Sequence, residues 1–388
     1  MTDVPELIVV RQPPSRLREW RVRLNRLRRV TLWGAAGLVH AMFDAPRPRV
    51  TRSRSAMPVD RTLVARIADS YCRADGSRFA MWDDIRPLQQ SLEAGDLDSL
   101  AAQLDGLFQG SLVAGMGHPE SAYFGDRVWR RDFPELRMTD LLLCLGEALG
   151  VLPLPNHAQM KLTEYVDFVH ADQDALFRRI EEALDFSLAM PPVGHPPVFT
   201  LNGVATSADM VRHAYLADRM RQLGIGADEP VVEIGAGFGS LALLAHRAGF
   251  RDYTIVDLPT VNAVQTFFLG SALGADAVSG FGEPRRGIRV LPPPAIKDIA
   301  DGSVALVVNA DSLPEIERGE ALGYLREIRR ISRLFLSVNQ EAQAPHPRGA
   351  PQTLVPALVA EVGGFERVYR FPYWMMEGYA EELYRVDR

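Results

Sequence analysis

The sequence predicts an α/β fold with a mainly parallel sheet, preceded by a mainly α-helical region. Three observations lead to this prediction. From about residue 205, short apolar segments alternate with segments whose apolar residues recur at helical spacing. The apolar segments are continuous rather than alternating, as in strands that are buried on both faces. A glycine-rich turn joins one of these segments directly to a helical segment.

We divide the 388 residues into three parts. Residues 1–59 form a basic arm and linker, because residues 1–60 hold twelve arginines against five acidic residues. Residues 60–195 form a mainly helical domain, and residues 196–388 form the α/β domain. The proline-rich segment at residues 191–197 marks the boundary between the two domains.

Within the arm, residues 16–39 have the pattern of a basic amphipathic helix, and residues 46–58 have the composition of a flexible linker. A basic helix of this kind suits peripheral contact with an anionic membrane surface or an acidic partner. It equally suits a solvated arm that folds against the acidic remainder of the chain. We favour the second interpretation.

The helical domain contains five segments with apolar residues at helical spacing. Met81, Trp82 and Trp129 are expected to anchor its core. The five segments are residues 63–71, 84–92, 97–108, 139–149 and 173–188.

The α/β domain opens with a helix at residues 208–223, after which strands and helices alternate. The last two strands follow each other without a helix, which predicts an antiparallel hairpin at the sheet edge. The result is a seven-stranded sheet with a reversed final strand. The predicted strands are residues 231–234, 253–257, 288–291, 304–309, 333–338, 365–371 and 381–386. The predicted helices between them are residues 239–248, 260–273, 315–331 and 352–361.

Composition excludes several classes of protein. The net charge of −6 argues against a nucleic-acid-binding protein. The two cysteines are too few for a disulfide framework or a cysteine-based zinc site, so a cytoplasmic location is expected. The sequence has neither an apolar run of transmembrane length nor a secretory signal pattern.

The glycine-rich turn is the strongest functional signal. It reads Glu233-x-Gly235-x-Gly237-x-Gly239, and eighteen residues after the last glycine comes Asp257, at the end of another apolar segment. Glycines at such a turn let a ligand approach the backbone closely. A carboxylate at the end of the second strand can accept hydrogen bonds from ribose hydroxyls. The pattern predicts a pocket for an adenosine-containing cofactor, and the alternative is a purely structural glycine turn.

Details of the turn favour S-adenosylmethionine (SAM) over NAD. The dinucleotide pattern is G-x-G-x-x-G, whereas this chain has G-x-G-x-G. Glu233 would repel a pyrophosphate, but it would attract the sulfonium and ammonium groups of SAM. We therefore predict a cofactor site that also includes Ala236 and Leu258. An NAD-dependent oxidoreductase or epimerase is the alternative enzyme.

The chain resembles the sugar O-methyltransferases of bacterial polysaccharide and natural-product clusters. The resemblance covers about residues 200–388 and rests on VVEIGAGFGSLALLA, YTIVDLPTVNAVQTFFLG, LVVNADSLPEI and LFLSVNQE. It implies the Rossmann-like fold of class I methyltransferases, SAM as methyl donor, and a hydroxyl of a sugar or sugar-containing metabolite as acceptor. The VDLP segment also resembles methyltransferases that act on phenols, which points to a non-sugar acceptor as the alternative. Their histidine base cannot be carried over, because Asn309-Ala310-Asp311 stands in its place.

Methyl transfer to a hydroxyl needs a group that removes or orients its proton. Asp311 is the leading candidate for this role, with His346 as the alternate and Glu315 as a further catalytic candidate. Asn309 is expected to line the SAM pocket. Each residue also has a structural interpretation: Asp311 and Ser312 as helix caps, Glu315 as a first-turn acid, and His346 as an exposed loop residue.

Other roles stay open at this stage. Asp311, Glu315 and Glu341 could together hold a divalent metal, but we predict no metal site. His213 and Tyr215 lie on the helix before the first strand, where they would either cover the cofactor or pack in the core. The helical domain would form an acceptor pocket, a lid or a homodimer interface. A non-catalytic scaffold that keeps the fold is a third hypothesis for the whole protein.

Overall fold

A computed structural model of the chain describes residues 50–52, 57–79, 81–113, 116, 133–154, 172–341 and 353–387, which belong to one compact unit. The predicted basic helix at residues 16–39, Trp129 and His346 lie outside these residues. The predicted division between a helical and an α/β domain stays a prediction.

Helices occupy each region where helical spacing predicted one within the described residues. Several begin at a polar side chain that accepts backbone N–H groups of the first turn, as Asp60, Asp172 and Ser207 do. The helices are α1 (Arg61–Arg73), α2 (Arg86–Ala94), α3 (Leu97–Asp105), α4 (Phe133–Ala148), α5 (Gln173–Leu184), α6 (Ala208–Gln222), α7 (Ser240–Arg247), α8 (Pro259–Leu273), α9 (Arg318–Ile331) and α10 (Val355–Val362). Short 3₁₀ helices lie at Gly76–Arg78, Ala275–Ala277, Pro293–Asp298 and Leu313–Glu315.

A small antiparallel sheet was not predicted. Its strands are β1 (Val50–Arg52), β2 (Pro197–Leu201) and β3 (Val204–Thr206), in the order β1-β2-β3. The first strand lies within residues 46–58, so the expectation of a flexible linker was wrong for residues 50–52, which pair with β2. Asn202 and Gly203 join the last two strands, and both have positive φ, at 49° and 76°. An Asn-Gly pair between apolar segments is a strong hairpin signal, so the sequence did contain evidence for this turn.

The large sheet contains all seven predicted strands. Its strands are β4 (Val231–Ile234), β5 (Tyr253–Val256), β6 (Val278–Ser279), β7 (Ile288–Leu291), β8 (Val304–Ala310), β9 (Ser332–Gln340), β10 (Phe365–Pro372) and β11 (Tyr379–Val386). Their order is β10-β11-β9-β8-β4-β5-β7-β6, so eight strands rather than seven form this sheet among the described residues. The additional strand, β6, has two residues and is too short to produce a recognisable pattern.

The final strand is reversed, as predicted. β11 pairs antiparallel with both β9 and β10, and the other pairs in the large sheet are parallel. β11 lies between β9 and β10, so its amino end sits beside the carboxyl end of β9. Tyr379, the first residue of β11, is opposite Gln340, the last residue of β9.

Helices cover both faces of the sheet. Val231 belongs to the core shared with α6, α7 and α8, whereas Val232 and Ile234 belong to the core shared with α9 and α10. The N-terminal helices extend the first core. Phe108 makes edge-to-face contacts with Phe238 of the glycine turn and with Phe268 of α8, which brings the helical region close to that turn.

The order of the strands creates a crevice at the end of β4. β4 pairs with β5 on one side and with β8 on the other. The strand order therefore changes direction at β4, which is a switch point of the sheet. The first turn of α6 lies at the same edge, because His213 of α6 contacts Ser240, the first residue of α7. Ligands of open α/β sheets bind at this kind of crevice.

Candidate active site

The glycine positions of the turn after β4 leave little room for a side chain. Gly235 and Gly237 have φ of 71° and 54°, which other residues rarely adopt. A Cβ on Gly235 would lie 2.2 Å from Oγ of Ser312, and a Cβ on Gly237 would lie 2.2 Å from the carbonyl oxygen of Met116. Gly239, with φ of 100°, is the residue before α7. Close packing and left-handed backbone therefore both require glycine here.

Asp257 is tied directly to the glycine turn. The N–H of Ala236 donates to Oδ2 of Asp257 at 3.0 Å, and the N–H of Leu258 donates to Oδ1 at 2.8 Å. Burial raises the pKa of this carboxyl to about 6, and the hydrogen bonds it accepts work against that rise. The predicted cofactor residues Gly235, Ala236, Asp257 and Leu258 thus form one connected structure.

Gln265 was missed by sequence reasoning, although it holds the two halves of this structure together. Its side-chain amide donates to Oδ2 of Asp257 at 2.7 Å and to the carbonyl of Gly237 at 2.9 Å. Both neighbours are acceptors, so the amide orientation is determined by its contacts. The signal in the sequence was a glutamine inside the apolar segment that forms α8. In the structure this glutamine is fully buried, and a buried polar group needs hydrogen-bond partners.

Glu233 lies in β4, immediately before the turn. Its side chain is buried and accepts a hydrogen bond from the hydroxyl of Tyr253 at 2.8 Å. Burial, reinforced by the nearby charge of Asp257, raises the pKa of Glu233 to about 8. The carboxyl is therefore mostly protonated at neutral pH in this structure, and a cation beside it would favour the ionised form.

Asn309 supports the turn from the neighbouring strand. Its amide donates to the carbonyl of Ile234 at 2.9 Å and to Oγ of Ser312, and its oxygen accepts from the N–H of Leu313 at 3.4 Å. The side chain is fully buried, so its contacts are with the protein. Ser312 also donates to the carbonyl of Ile234, at 3.1 Å, and does not cap the following 3₁₀ helix.

Asp311 follows β8 at the same edge of the sheet. It has a positive φ of 66°, a conformation that aspartate tolerates better than most residues, and its N–H donates to the carbonyl of Val338. The hydroxyl of Tyr379 donates to Oδ1 of Asp311 at 2.7 Å. Sequence reasoning named Asp311 but missed Tyr379.

The other acidic candidates have different surroundings. Glu315 is exposed at the end of a 3₁₀ helix, with its N–H bonded to the carbonyl of Ser312. Glu341 is paired with Arg370 of β10 at 2.6 Å. Among the residues that the structure describes, no group of three histidine, cysteine or acidic side chains is arranged for a metal ion. β9 extends to Gln340, two residues beyond the predicted strand, so Asn339 belongs to the strand itself.

The two α6 candidates have different surroundings. Nδ1 of His213 lies 2.6 Å from Oγ of Ser240, beside the glycine turn, and burial together with the charge of Arg212 lowers the pKa of His213 well below 6.5. The imidazole is therefore neutral at physiological pH. Tyr215 instead donates to Glu381 inside the core, at 2.7 Å, so core packing is its role in this structure.

Comparison with protein-family models and with curated proteins gives no match. Solved structures do show similarity. The mitomycin 7-O-methyltransferase MmcR is 13% identical, with 66% of this chain and 96% of that chain covered and a TM-score of 0.33. The geranyl diphosphate C-methyltransferase from Streptomyces coelicolor A3(2) is 13% identical, with coverage of 45% and 77% and a TM-score of 0.33. The [4+2]-cyclase SpnF is 15% identical, with coverage of 44% and 80% and a TM-score of 0.36.

Across the described part of the chain, no helix is both long enough and apolar enough to span a bilayer.

Proposed function

We propose that this chain is a SAM-dependent O-methyltransferase whose acceptor is a hydroxyl of a sugar or a sugar-containing metabolite. The observation that carries the proposal is the connection between the glycine turn and Asp257, through the N–H of Ala236 at 3.0 Å. This connection lies at the switch point of the sheet, where an adenosine-containing ligand is expected. The parallel sheet with one reversed strand is also the arrangement of class I methyltransferases.

The charges around the turn favour a cationic cofactor over a dinucleotide. The carbonyl oxygen of Met116 lies against Gly237, and the buried carboxyl of Glu233 lies immediately before the turn. A carbonyl oxygen and a carboxyl group disfavour a pyrophosphate but favour a sulfonium and an ammonium group. Asp257 would accept hydrogen bonds from ribose hydroxyls, because its Oδ1 accepts only one of the protein hydrogen bonds described above.

We assign to Asp311 the role of contacting the hydroxyl group of the acceptor. It stands after β8, next to the strand that leads into the glycine turn, so it lies on the side of the crevice away from Asp257. SAM, when bound, supplies a methyl group on a positively charged sulfur. The carboxylate of Asp311 would align the acceptor hydroxyl and take its proton as the new carbon–oxygen bond forms.

The helical region contributes to the same site in this proposal. Met116 and Phe108 pack directly on Gly237 and Phe238 of the turn. Their placement supports a role for this region in covering the glycine turn rather than as a separate module.

Calorimetric titration with SAM tests the cofactor assignment. Wild-type protein is expected to bind SAM, and Gly237→Arg is expected to abolish binding because a side chain at this position meets the Met116 carbonyl. NADH, followed by nicotinamide fluorescence, is the matched negative ligand. Absence of SAM binding by folded wild-type protein would overturn the proposal.

Incubation with methyl-labelled SAM and a panel of nucleotide sugars, alkyl glycosides and simple phenols tests the acceptor class. Mass spectrometry of the products is expected to show methylation of sugar hydroxyls. Methylation confined to the phenols would replace the sugar acceptor with a non-sugar one and leave the methyltransferase assignment intact.

A further inference from the structure

The carboxylate of Asp311 is held by a residue that comes from the far end of the chain. The hydroxyl of Tyr379 donates to Oδ1 of Asp311 at 2.7 Å, across a sequence separation of 68 residues. Burial, together with the charge of Asp311, raises the pKa of Tyr379, so the hydroxyl stays protonated and acts as the donor.

The sheet explains why these two side chains meet. β11 is antiparallel and lies beside β9, so its first residue, Tyr379, stands at the carboxyl edge opposite Gln340. β8 lies on the other side of β9, and Asp311 follows its last residue. The tyrosine therefore reaches across the end of β9. A parallel strand in the place of β11 would have ended, rather than begun, at this edge.

A buried cation accompanies the pair. Arg212, in the first turns of α6, donates to Oδ1 of Asp209 at 2.9 Å, and its own carbonyl accepts from the hydroxyl of Tyr373 at 3.3 Å. Burial lowers the pKa of Arg212, but the charges of Asp209, Tyr373 and Asp311 together raise it above its ordinary value. Its guanidinium is therefore charged, and Asp209 is its ion-pair partner at 2.9 Å.

We propose that Tyr379 is a positioning residue that fixes the Asp311 carboxylate for the acceptor hydroxyl. This inference rests on the proposed methyltransferase function. It adds a residue that orients Asp311, at the carboxyl edge of the sheet, for contact with the acceptor hydroxyl. Asp311 differs from Glu315 and Glu341 in this respect, because Glu315 is exposed and Glu341 is paired with an arginine of the edge hairpin.

The step that Asp311 serves balances without a further reactant. The acceptor oxygen forms a bond to the methyl carbon while the carbon–sulfur bond breaks, and the electrons of that bond stay on sulfur as a neutral thioether. The proton of the hydroxyl passes to Asp311 and from there to solvent. A phenol donor on one carboxylate oxygen restricts rotation of the carboxylate, so the acceptor meets it in one orientation.

Tyr379→Phe isolates the hydroxyl from the ring. Loss of the hydrogen bond is expected to raise the pKa of Asp311, because a donor to the charged form is removed. This pKa can be followed by ¹³C NMR of carboxyl-labelled aspartate, with Asp311→Asn assigning the resonance. The charges of Arg212 and Glu315 act on Tyr379, and the charge of Asp311 acts on Tyr373; Tyr373, Arg212 and Glu315 are all unchanged in this variant.

Methyl incorporation into the same panel of nucleotide sugars and alkyl glycosides provides the second measurement. Tyr379→Phe is expected to reduce the rate by about ten-fold, to shift the acidic limb of the pH–rate profile upward, and to leave the affinity for SAM unchanged. The matched control is Tyr369→Phe. It removes a phenol that donates to Glu381 at 2.8 Å in the same hairpin but away from Asp311, and it should change neither measurement.

The outcomes separate this inference from the proposed function. An Asp311 pKa and a pH–rate profile that are identical in wild type and Tyr379→Phe would overturn the role of Tyr379, even if methyl transfer is confirmed. A wild-type protein that binds SAM but methylates no compound of the panel would overturn the proposed function, and with it the catalytic purpose of the pair. The NMR titration would still report whether the two side chains interact.

Discussion

Gln265 and Asp257 form a buried hydrogen bond of 2.7 Å, and this contact joins helix α8 to the glycine turn. The same amide donates to the carbonyl of Gly237 at 2.9 Å. Asp257 therefore accepts from Gln265 and from Ala236 on one oxygen, and its orientation is set before any ligand arrives. Preorganisation of this kind reduces the free-energy cost of ordering the site when a ligand binds.

Gln265→Met should weaken the binding of SAM by about ten-fold, because it keeps the volume of the side chain but removes a donor to a charged acceptor. Calorimetric titration of folded protein measures the change. Gln89→Met is the control, since Gln89 is another buried glutamine whose amide donates to a backbone carbonyl, that of Phe79, in the helical region. Equal losses of affinity in both variants would contradict the role of Gln265.

Gly235→Ala and Gly237→Ala should each abolish measurable SAM binding. Each new Cβ would lie 2.2 Å from an oxygen atom, and each residue has a positive φ. Gly249→Ala separates the two causes, because Gly249 has φ of 100° but no atom within 4 Å of the added Cβ. It should cost about 1 kcal/mol of stability and leave the affinity for SAM unchanged. Normal SAM binding by Gly237→Ala would show that the turn is not the cofactor site.

The contribution of Glu233 to the stability of the protein should fall as pH rises from 4.5 to 8. The pKa of Glu233 is raised to about 8 by burial, so between these pH values the folded state holds a proton that the unfolded state has lost. The stabilisation is complete below pH 4.5 and disappears as pH passes through 8. Asp257, with its pKa raised to about 6, acts in the same direction over a lower range.

Urea unfolding at pH 5 and pH 8.5 measures this effect. Glu233→Gln keeps an acceptor for Tyr253 but does not titrate, so its loss of stability between the two pH values should be smaller than that of wild type by a few kcal/mol, an order-of-magnitude value. The exposed Glu366 provides the control variant, Glu366→Gln. If wild type and Glu233→Gln lose the same stability between pH 5 and pH 8.5, Glu233 is not neutral in the folded protein.

Most of the seven predicted strands were recognisable because strands buried on both faces leave continuous apolar segments in the sequence. The edge strand β10 is largely exposed and does not follow this rule. The short strands had weaker signals. β6 has two residues, and β1 pairs with a strand that follows it by almost 150 residues, so no local pattern could reveal either. The hairpin of β2 and β3 is different. The Asn202-Gly203 pair is a local signal for its turn, so this hairpin could have been predicted from the sequence.

The cofactor half of the site was more predictable than the acceptor half. Gly235, Gly237 and Asp257 carry signals in their own segments, because left-handed backbone and a strand-end carboxylate have local signatures. Tyr379 has none. It approaches Asp311 only because β11 is inserted beside β9, and this is a property of the assembled sheet.

Glu381→Leu should destabilise the protein by roughly 3–5 kcal/mol, the range for one partner removed from a buried ion pair. The fully buried carboxylate of Glu381 accepts from Tyr215 and Arg219 of α6, both at 2.7 Å, and from Tyr369 of β10 at 2.8 Å. Its loss leaves the guanidinium of Arg219 and two hydroxyls without their acceptor, and it loosens α6 from β11. Urea unfolding measures the change, and Glu361→Leu, which breaks an exposed ion pair with Arg318, should cost less than about 1 kcal/mol. Because β11 carries Tyr379, a Glu381→Leu protein that still folds should also lose methyl transfer, whereas the Glu361→Leu protein should keep it.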